Sequence, residues 1–364
     1  MIFQWYLFVI IIAAVTFSNL SGRKYLVNSY GRTEVRYKWV PALMVLIPLV
    51  YLAATRENYV WSDTVAYRVS FLELPTSIWE LDTYITEDTK DKGFIVLATL
   101  IKMFIGDNDV LYFGIIAGVT LYCVISVFRK HSCNFFVSVF LFIASADYVQ
   151  WEYNGIRQFI AVAIIFACMD WILEKRYIPL IMVILLVSTV HATALLMIPV
   201  IFIVQGKAWN RKTVFVLFLV LIAVASVEHF TDLITDFMGN TQYKNEVGQF
   251  LETEGTSIFR VLVFSIPTII SLLFRKRIQK GNNKVINLCV NMSIASMGCY
   301  IISAVTSGIF MGRIPIYFSL YNYILLPWMV ENIFSRRSRR FIYTMMIGLY
   351  LIYYYYQIHV VWGI

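Results

Sequence analysis

Charged side chains are scarce in this sequence: Asp, Glu, Lys and Arg make up 14% of its 364 residues, against 60% hydrophobic residues and a mean hydropathy of +0.71. So little polar surface cannot coat a particle in water, which excludes a soluble globular domain and makes lipid the solvent. Cysteine is thin as well. The five, Cys123, Cys133, Cys168, Cys289 and Cys299, are odd in number, show no CxxC spacing and fall within or beside apolar runs. That excludes a disulfide or thiolate framework and leaves them as small apolar residues. A positive n-region and an A-x-A-like site are both lacking around the first apolar run, which is therefore expected to be a retained span. No internal repeat and no soluble domain interrupts the pattern.

What is present is a series of long, continuous apolar runs, such as Ile156 to Leu173 and Phe341 to Val361. In lipid every backbone amide needs a partner within the chain, so such runs are helices or strands of a closed barrel. Barrel strands show roughly 10 residues of alternating polarity, and these runs do not alternate, which selects helices. The expected fold is all-α, a polytopic transmembrane bundle forming one domain over residues 1–364. Its spans are expected near 4–20, 39–55, 109–128, 134–149, 156–173, 177–190, 192–205, 213–228, 258–274, 285–303, 315–333 and 341–361, about 12 crossings of comfortable to short length. Within 177–205 two readings stand, two short helices meeting near His191 or one long tilted helix with a tail.

The formal net charge of +8 suggests nucleic acid only until its location is read. Basic residues gather in short loops: Arg23 to Lys38, Arg129 and Lys130, Lys175 and Arg176, Lys207 to Lys212, Arg275 to Lys284, and Arg336 to Arg340. That is the positive-inside signature, with no nucleic-acid partner, and it puts these loops in the cytoplasm. The cluster in 332–340 is expected to lie near anionic membrane lipid. Two acid-rich loops then face outward, 56–108 after the second span and 229–257, the latter with Asp232, Asp236, Glu246, Glu252 and Glu254 but no metal-ligand spacing. Counting Phe94 to Ile105 as a crossing would invert every later basic loop. It is therefore expected to be a re-entrant or interfacial helix within the first outer loop.

A charge at membrane depth is costly, on the order of 2.5–3.5 kcal/mol at a helix centre, so the charges at the outer rim are candidates for function. In ENYVWSDTVAYRVSF, residues 57–71, Asp63 and Arg68 stand among Tyr59, Trp61, Tyr67 and Phe71. A carboxylate there can take a proton from a sugar hydroxyl while the arginine grips a phosphate oxygen. Equally, Asp63 can cap a short helix and pair with Arg68. In YVQWEYNGIRQF, residues 148–159, Glu152, Arg157 and Gln158 lie at the outer interface. There Arg157 reads either as a snorkelling anchor or, beside the backbone of Asn154 and Gly155, as part of an anion cradle. His191 reads as a satisfied core histidine or as a proton-transfer group. Arg313, between Gly312 and Pro315 in SGIFMGRIP, reads as an anchor or as a headgroup contact, on irregular backbone that must be buried in protein or line a cavity.

Taken in order, DTVAYR (63–68), DKGFIVLATLI (91–101), GIRQFIAVAII (155–165) and LLVSTVHATALLMIP (185–199) resemble the EpsG family of bacterial polysaccharide-biosynthesis membrane proteins, which are similar to Wzy-type O-antigen and capsule polymerases. The likeness covers most of residues 1–330. Family sequences often carry Glu-Pro-Gly-Phe before the interfacial helix; this chain has Asp91, Lys92, Gly93 and Phe94, and a role for that acid is left unassigned. The resemblance implies a GT-C-like glycosyltransferase in the bacterial inner (plasma) membrane, joining oligosaccharide repeat units carried on undecaprenyl diphosphate at its outer face. Its partners would be a lipid-linked donor, a lipid-linked acceptor and a chain-length regulator. Asp63 would be the base, with His191 as the other catalytic candidate, and no cofactor or metal is called for. Arg68, Arg157 and Arg313, with Glu152 and Gln158, would bind substrate, and a single displacement would invert the anomeric centre. Two other functions share these features: a flippase for the same lipid-linked sugar, and an acyltransferase that decorates the polysaccharide.

Overall fold

The computed structural model describes residues 2–21, 24–27, 33–58, 63–86, 89–239 and 254–363. The described residues are helical apart from turns, loops and one antiparallel hairpin, β1 (Lys24–Val27) on β2 (Thr33–Arg36), with Lys24 opposite Arg36. The architecture is all-α as expected, and the one small hairpin forms where Tyr25, Val27, Thr33 and Val35 favour extended backbone.

The chain divides into two compact units, Met1–Leu195 with Pro327–Ile364, and Leu196–Leu326. The first begins with α1 (Ile2–Ser21), α2 (Trp39–Ala54), α3 (Thr64–Glu73), α4 (Leu81–Tyr84), α5 (Lys92–Ile105) and α6 (Asp109–His131). It continues through α7 (Phe135–Ala144), α8 (Asp147–Tyr153), α9 (Ile156–Ala167), α10 (Met169–Glu174) and α11 (Tyr177–Ser188). Helix α6 packs on both α2 and α9. Its start is fixed by Asn108, whose side chain accepts from the Leu111 amide, and its last turn carries Arg129, Lys130 and His131, which suit the carbonyl end of a helix. The core beneath it is aromatic: Phe142 meets Phe128, Tyr148 and Phe159 at ring separations of 6.1, 5.9 and 6.2 Å.

The second unit holds α12 (Met197–Ile203), α13 (Arg211–Ala225), α14 (Val227–Gly239), α15 (Ile258–Leu273), α16 (Arg275–Gly281), α17 (Lys284–Val305) and α18 (Ile316–Ser319); α19 (Asn322–Ile333) and α20 (Arg336–Tyr355) follow. Helix α17 packs on α13 and α15. Two buried asparagines on α17 shape the loop before α13. Asn287 accepts from the Ala208 amide at 3.1 Å, and Asn291 accepts from the Trp209 amide at 3.0 Å while donating to the Val204 carbonyl at 2.8 Å. Each is a polar group affordable in the interior only because its hydrogen bonds are made.

Among the described residues, α6 and α17 are each long and apolar enough to cross a membrane, and two bent pairs qualify if each is one broken span: α13 with α14, at 100°, and α15 with α16, at 74°. Several expected spans are interrupted. The run 134–149 stops at Ala144 and restarts at Asp147 through Ala146, whose φ of 67° is left-handed. The run 156–173 breaks at Cys168 into α9 and α10. Of the two readings of 177–205 the structure shows two short helices, α11 and α12, separated by His191 and a 3-10 turn over Ala192–Leu196. The last run begins earlier than its apolar part, because α20 takes in the basic cluster Arg336 to Arg340. Of the loop expected over 229–257, residues 240–253 with Glu246 and Glu252 lie outside the described residues, as do Tyr59 and Trp61 of the loop expected over 56–108.

Candidate functional site

In the first unit, α3, α5, α6 and α9 surround a cavity of about 390 Å³ lined by Asp63, Tyr67, Tyr84, Lys90, Phe94, Tyr112 and Arg157, among others. Helix α3 brings Asp63 and Tyr67 to it. Asp63 is the N-cap residue, and its carbonyl accepts from the Tyr67 amide at 3.0 Å, yet its side chain makes no capping hydrogen bond. The carboxylate is therefore not consumed by helix termination. Arg68, five residues after Asp63, pairs with Asp109, donates to Asn58 and lies 5.7 Å over the Phe113 ring; it is not among the lining residues.

The far end of α3 is held by Lys102 of α5, a lysine only 3% exposed. Its Nζ donates to the carbonyls of Phe71, Leu72 and Leu74 at 3.2, 2.6 and 2.8 Å and pairs with Asp107 at 3.0 Å. A buried ammonium is tolerable when its protons are all used, and a cation at the carbonyl end of a helix meets the negative pole of its dipole. Phe71 stacks on Tyr112 of α6 at 4.1 Å, which closes the floor.

One wall is built on a close backbone approach. The Gly93 amide donates to the Thr189 carbonyl at 2.9 Å. Just before it, Asp91 adopts φ 52°, ψ 45°, a left-handed conformation that aspartate tolerates better than most residues. Its side chain is 6% exposed, and its Oδ2 meets Arg157 Nη1 at 3.1 Å and His191 Nδ1 at 3.3 Å. Arg157 stands in the first turn of α9, 40% exposed, with its guanidinium 5.9 Å from the Tyr67 ring. The structure thus joins Arg157 and His191 through a carboxylate, and Arg157 and Asp63 through a shared cavity.

Glu152 and Gln158 are 2% and 3% exposed and do not line the cavity. Glu152 Oε2 accepts from the Thr120 hydroxyl at 2.8 Å, and its backbone carbonyl accepts from Arg56 Nη1 at 2.7 Å. Burial pushes the Glu152 carboxyl up to about 7, against the pull of the Thr120 hydrogen bond and the Arg56 charge. Arg56 is 4% exposed, with its guanidinium 3.7 Å over Phe113. These groups form a packed polar layer in the interior.

Arg313 belongs to the second unit and ends a 3-10 turn over Met311–Arg313, where it is exposed. The irregular backbone around it is buried against protein. A Cβ on Gly255 would fall 2.1 Å from the Ala304 carbonyl oxygen and one on Gly312 2.7 Å from the Thr256 hydroxyl, while the Thr256 amide donates to the Ser303 carbonyl at 2.9 Å. The cavity of the first unit is built without it.

Sequence reasoning overlooked Lys90 and Lys102 and left Asp91 without a role. The signal for Asp91 was the tetrapeptide Asp91-Lys92-Gly93-Phe94 at the start of α5, where a glycine marks the close approach. Chemically the cavity offers two cations and a carboxylate beside aromatic faces. Cations suit an anion, and aromatic faces suit a sugar ring. Among the described residues no cluster of His, Cys, Asp and Glu is arranged to hold a metal ion. A family model, that of the EpsG family, matches residues 39–363. No curated protein and no solved structure matches the chain.

Proposed function

The chain belongs to the EpsG family, a Wzy-like polymerase family, and from that premise we propose that it joins lipid-linked oligosaccharides in the bacterial inner membrane. The apolar helices make it a membrane protein, and the family is of exopolysaccharide-polymerase type. In this reading the polytopic bundle of about 12 spans opens its first-unit cavity to the outer face. The donor and the acceptor each ride on undecaprenyl diphosphate, and a separate chain-length regulator acts beside the enzyme.

The observation that carries the reading is that Asp63, Lys90 and Arg157 line one cavity with Tyr67, Tyr84, Phe94 and Tyr112. Attack on an anomeric carbon builds oxocarbenium character and releases a diphosphate, so the site needs cations at the leaving group and an acceptor for one proton. Arg157 and Lys90 are the cations. Asp63, which lines the cavity, and His191, which shares the Asp91 oxygen with Arg157, are the groups able to serve the proton and the sugar hydroxyls. Direct attack by the acceptor hydroxyl on the donor inverts the anomeric centre.

The test uses purified full-length protein in detergent or nanodiscs, with a synthetic undecaprenyl-diphosphate-linked repeat unit as both donor and acceptor. A ladder of extended chains and released undecaprenyl diphosphate, with no nucleotide sugar and no acyl donor added, is the expected result. Unextended substrate that instead crosses the bilayer of proteoliposomes would replace the polymerase with a flippase. Substrate that gains mass only when an acyl donor is supplied would replace it with an acyltransferase.

A further inference from the structure

Asp91 does not line the cavity, yet it touches both an arginine that does and the neighbouring histidine. Three chain segments far apart in sequence converge on it. They are the start of α5, the first turn of α9, and the junction between α11 and the 3-10 turn Ala192–Leu196. Its backbone is fixed independently of its side chain: the Asp91 carbonyl accepts from the Phe94 amide at 2.8 Å, and the Gly93–Thr189 hydrogen bond pins the segment to the residues just before His191.

All of the carboxylate's hydrogen bonding passes through one oxygen. Oδ2 meets Arg157 Nη1 at 3.1 Å and His191 Nδ1 at 3.3 Å, whereas Oδ1 is buried with no hydrogen-bond partner. A carboxylate needed only to balance a cation would present both oxygens to the arginine, since the bidentate pair is the stronger arrangement. Here one N–H of the arginine and one ring nitrogen share a single atom.

We propose, on the polymerase reading above, that Asp91 is the positioning residue of the transfer reaction. Its ionised oxygen accepts the Nδ1–H of neutral His191, which leaves the lone pair on Nε2. Nε2 takes the proton of the acceptor sugar's hydroxyl as that oxygen attacks the anomeric carbon. The bond between the anomeric carbon and the diphosphate oxygen breaks, and its electron pair leaves on the diphosphate, held by Arg157 and Lys90. Asp91 stays ionised throughout and stabilises the imidazolium that forms, with Arg157, Lys90 and Lys92 as the neighbouring cations. Asp63, which lines the same cavity as Arg157, then holds a sugar hydroxyl. One carboxylate fixes both the tautomer of the base and the place of the leaving-group clamp.

The direct test is spectroscopic and needs no turnover. The chain has four histidines, so full-length protein carrying ¹⁵N-labelled histidine in detergent gives few ring signals, and His191 is identified by its loss in His191→Gln. At pH 8 the wild-type His191 signal is expected to be that of the Nδ1–H tautomer. Asp91→Leu, which removes the acceptor, is expected to abolish that preference and lower kcat by on the order of 10²-fold, the scale of a misplaced general base. A wild-type His191 in the Nε2–H tautomer would overturn the proposal without any variant, and so would an Asp91→Leu protein with tautomer and kcat unchanged. Failure of the polymerase reading looks different: wild-type protein that elongates nothing, whatever the tautomer.

Discussion

A Cβ placed on Gly93 would stand 2.1 Å from the Thr189 hydroxyl oxygen and 2.7 Å from the Thr189 carbonyl carbon. No side chain fits there unless the backbones separate, and separation moves Asp91 away from His191. Gly93→Ala is therefore expected to cost about 1–3 kcal/mol of stability, the range for overpacking an interior site, and to reduce polymer formation further than the folded fraction explains. Gly118→Ala is the control. It lies in α6 with nothing within 4 Å of its added methyl, and alanine is favoured over glycine in a helix by roughly 0.8–1 kcal/mol. Thermal unfolding in detergent should move in opposite directions for the two variants; equal shifts would remove the steric argument.

The cavity residues are to be tested as a pair. Asp63→Asn keeps shape and removes charge, and it is expected to lower kcat/KM by roughly 10–100-fold, the scale of a hydrogen bond to a charged group, while the protein remains folded and inserted. Arg157→Ala removes the cation nearest the expected leaving group. Because hydrogen bonds to charged groups contribute about 1.5–3 kcal/mol, the loss corresponds to roughly 10–100-fold in kcat/KM. Steady-state kinetics on the lipid-linked repeat unit read both. Full-length polymer from both variants would mean that chemistry occurs elsewhere.

Much of this arrangement is visible in the sequence, and the parts that are not share a cause. Helices α6 and α17 follow from uninterrupted apolar runs, and Arg157 and His191 stand out as polar residues in apolar surroundings. The bridge between Arg157 and His191 was not legible, because residues 91, 157 and 191 meet only through tertiary packing and no local spacing encodes it. The breaks at Ala146 and Cys168 were missed for a related reason: neither residue is a glycine or proline, so the apolar pattern runs through a turn set by packing. Glu152 and Gln158 share the polarity of Arg157, and only burial separates them from it.

Lys102 illustrates how a cation can matter without meeting substrate. Its Nζ holds the last carbonyls of α3, the helix whose first turn presents Asp63 and Tyr67 to the cavity. Lys102→Met preserves the aliphatic stem and leaves those carbonyls without their shared donor. A loss of about 1–3 kcal/mol follows from the orphaned acceptors, with a KM increase larger than the change in kcat because α3 shifts rather than the reacting groups. A variant as stable as wild type, with unchanged KM, would show that α3 is held by the Phe71–Tyr112 stack alone.

Glu152 sets a pH dependence whose sign can be worked out. Burial raises its carboxyl from an ordinary value of 4.5 to about 7 in the folded protein. Between those values the folded chain binds a proton that the unfolded chain has released, so this group's contribution to stability falls as pH rises through that window. Below it the carboxyl is protonated in both states, and above it the full penalty of a buried charge persists. Glu152→Gln keeps an acceptor for the Thr120 hydroxyl and leaves the backbone carbonyl that Arg56 grips untouched, but it does not titrate. The difference in unfolding temperature between variant and wild type should therefore be small near pH 4.5 and grow in the variant's favour toward pH 8. Measured in one detergent across that range, two parallel curves would show that the Glu152 carboxyl titrates alike in the folded and unfolded chains.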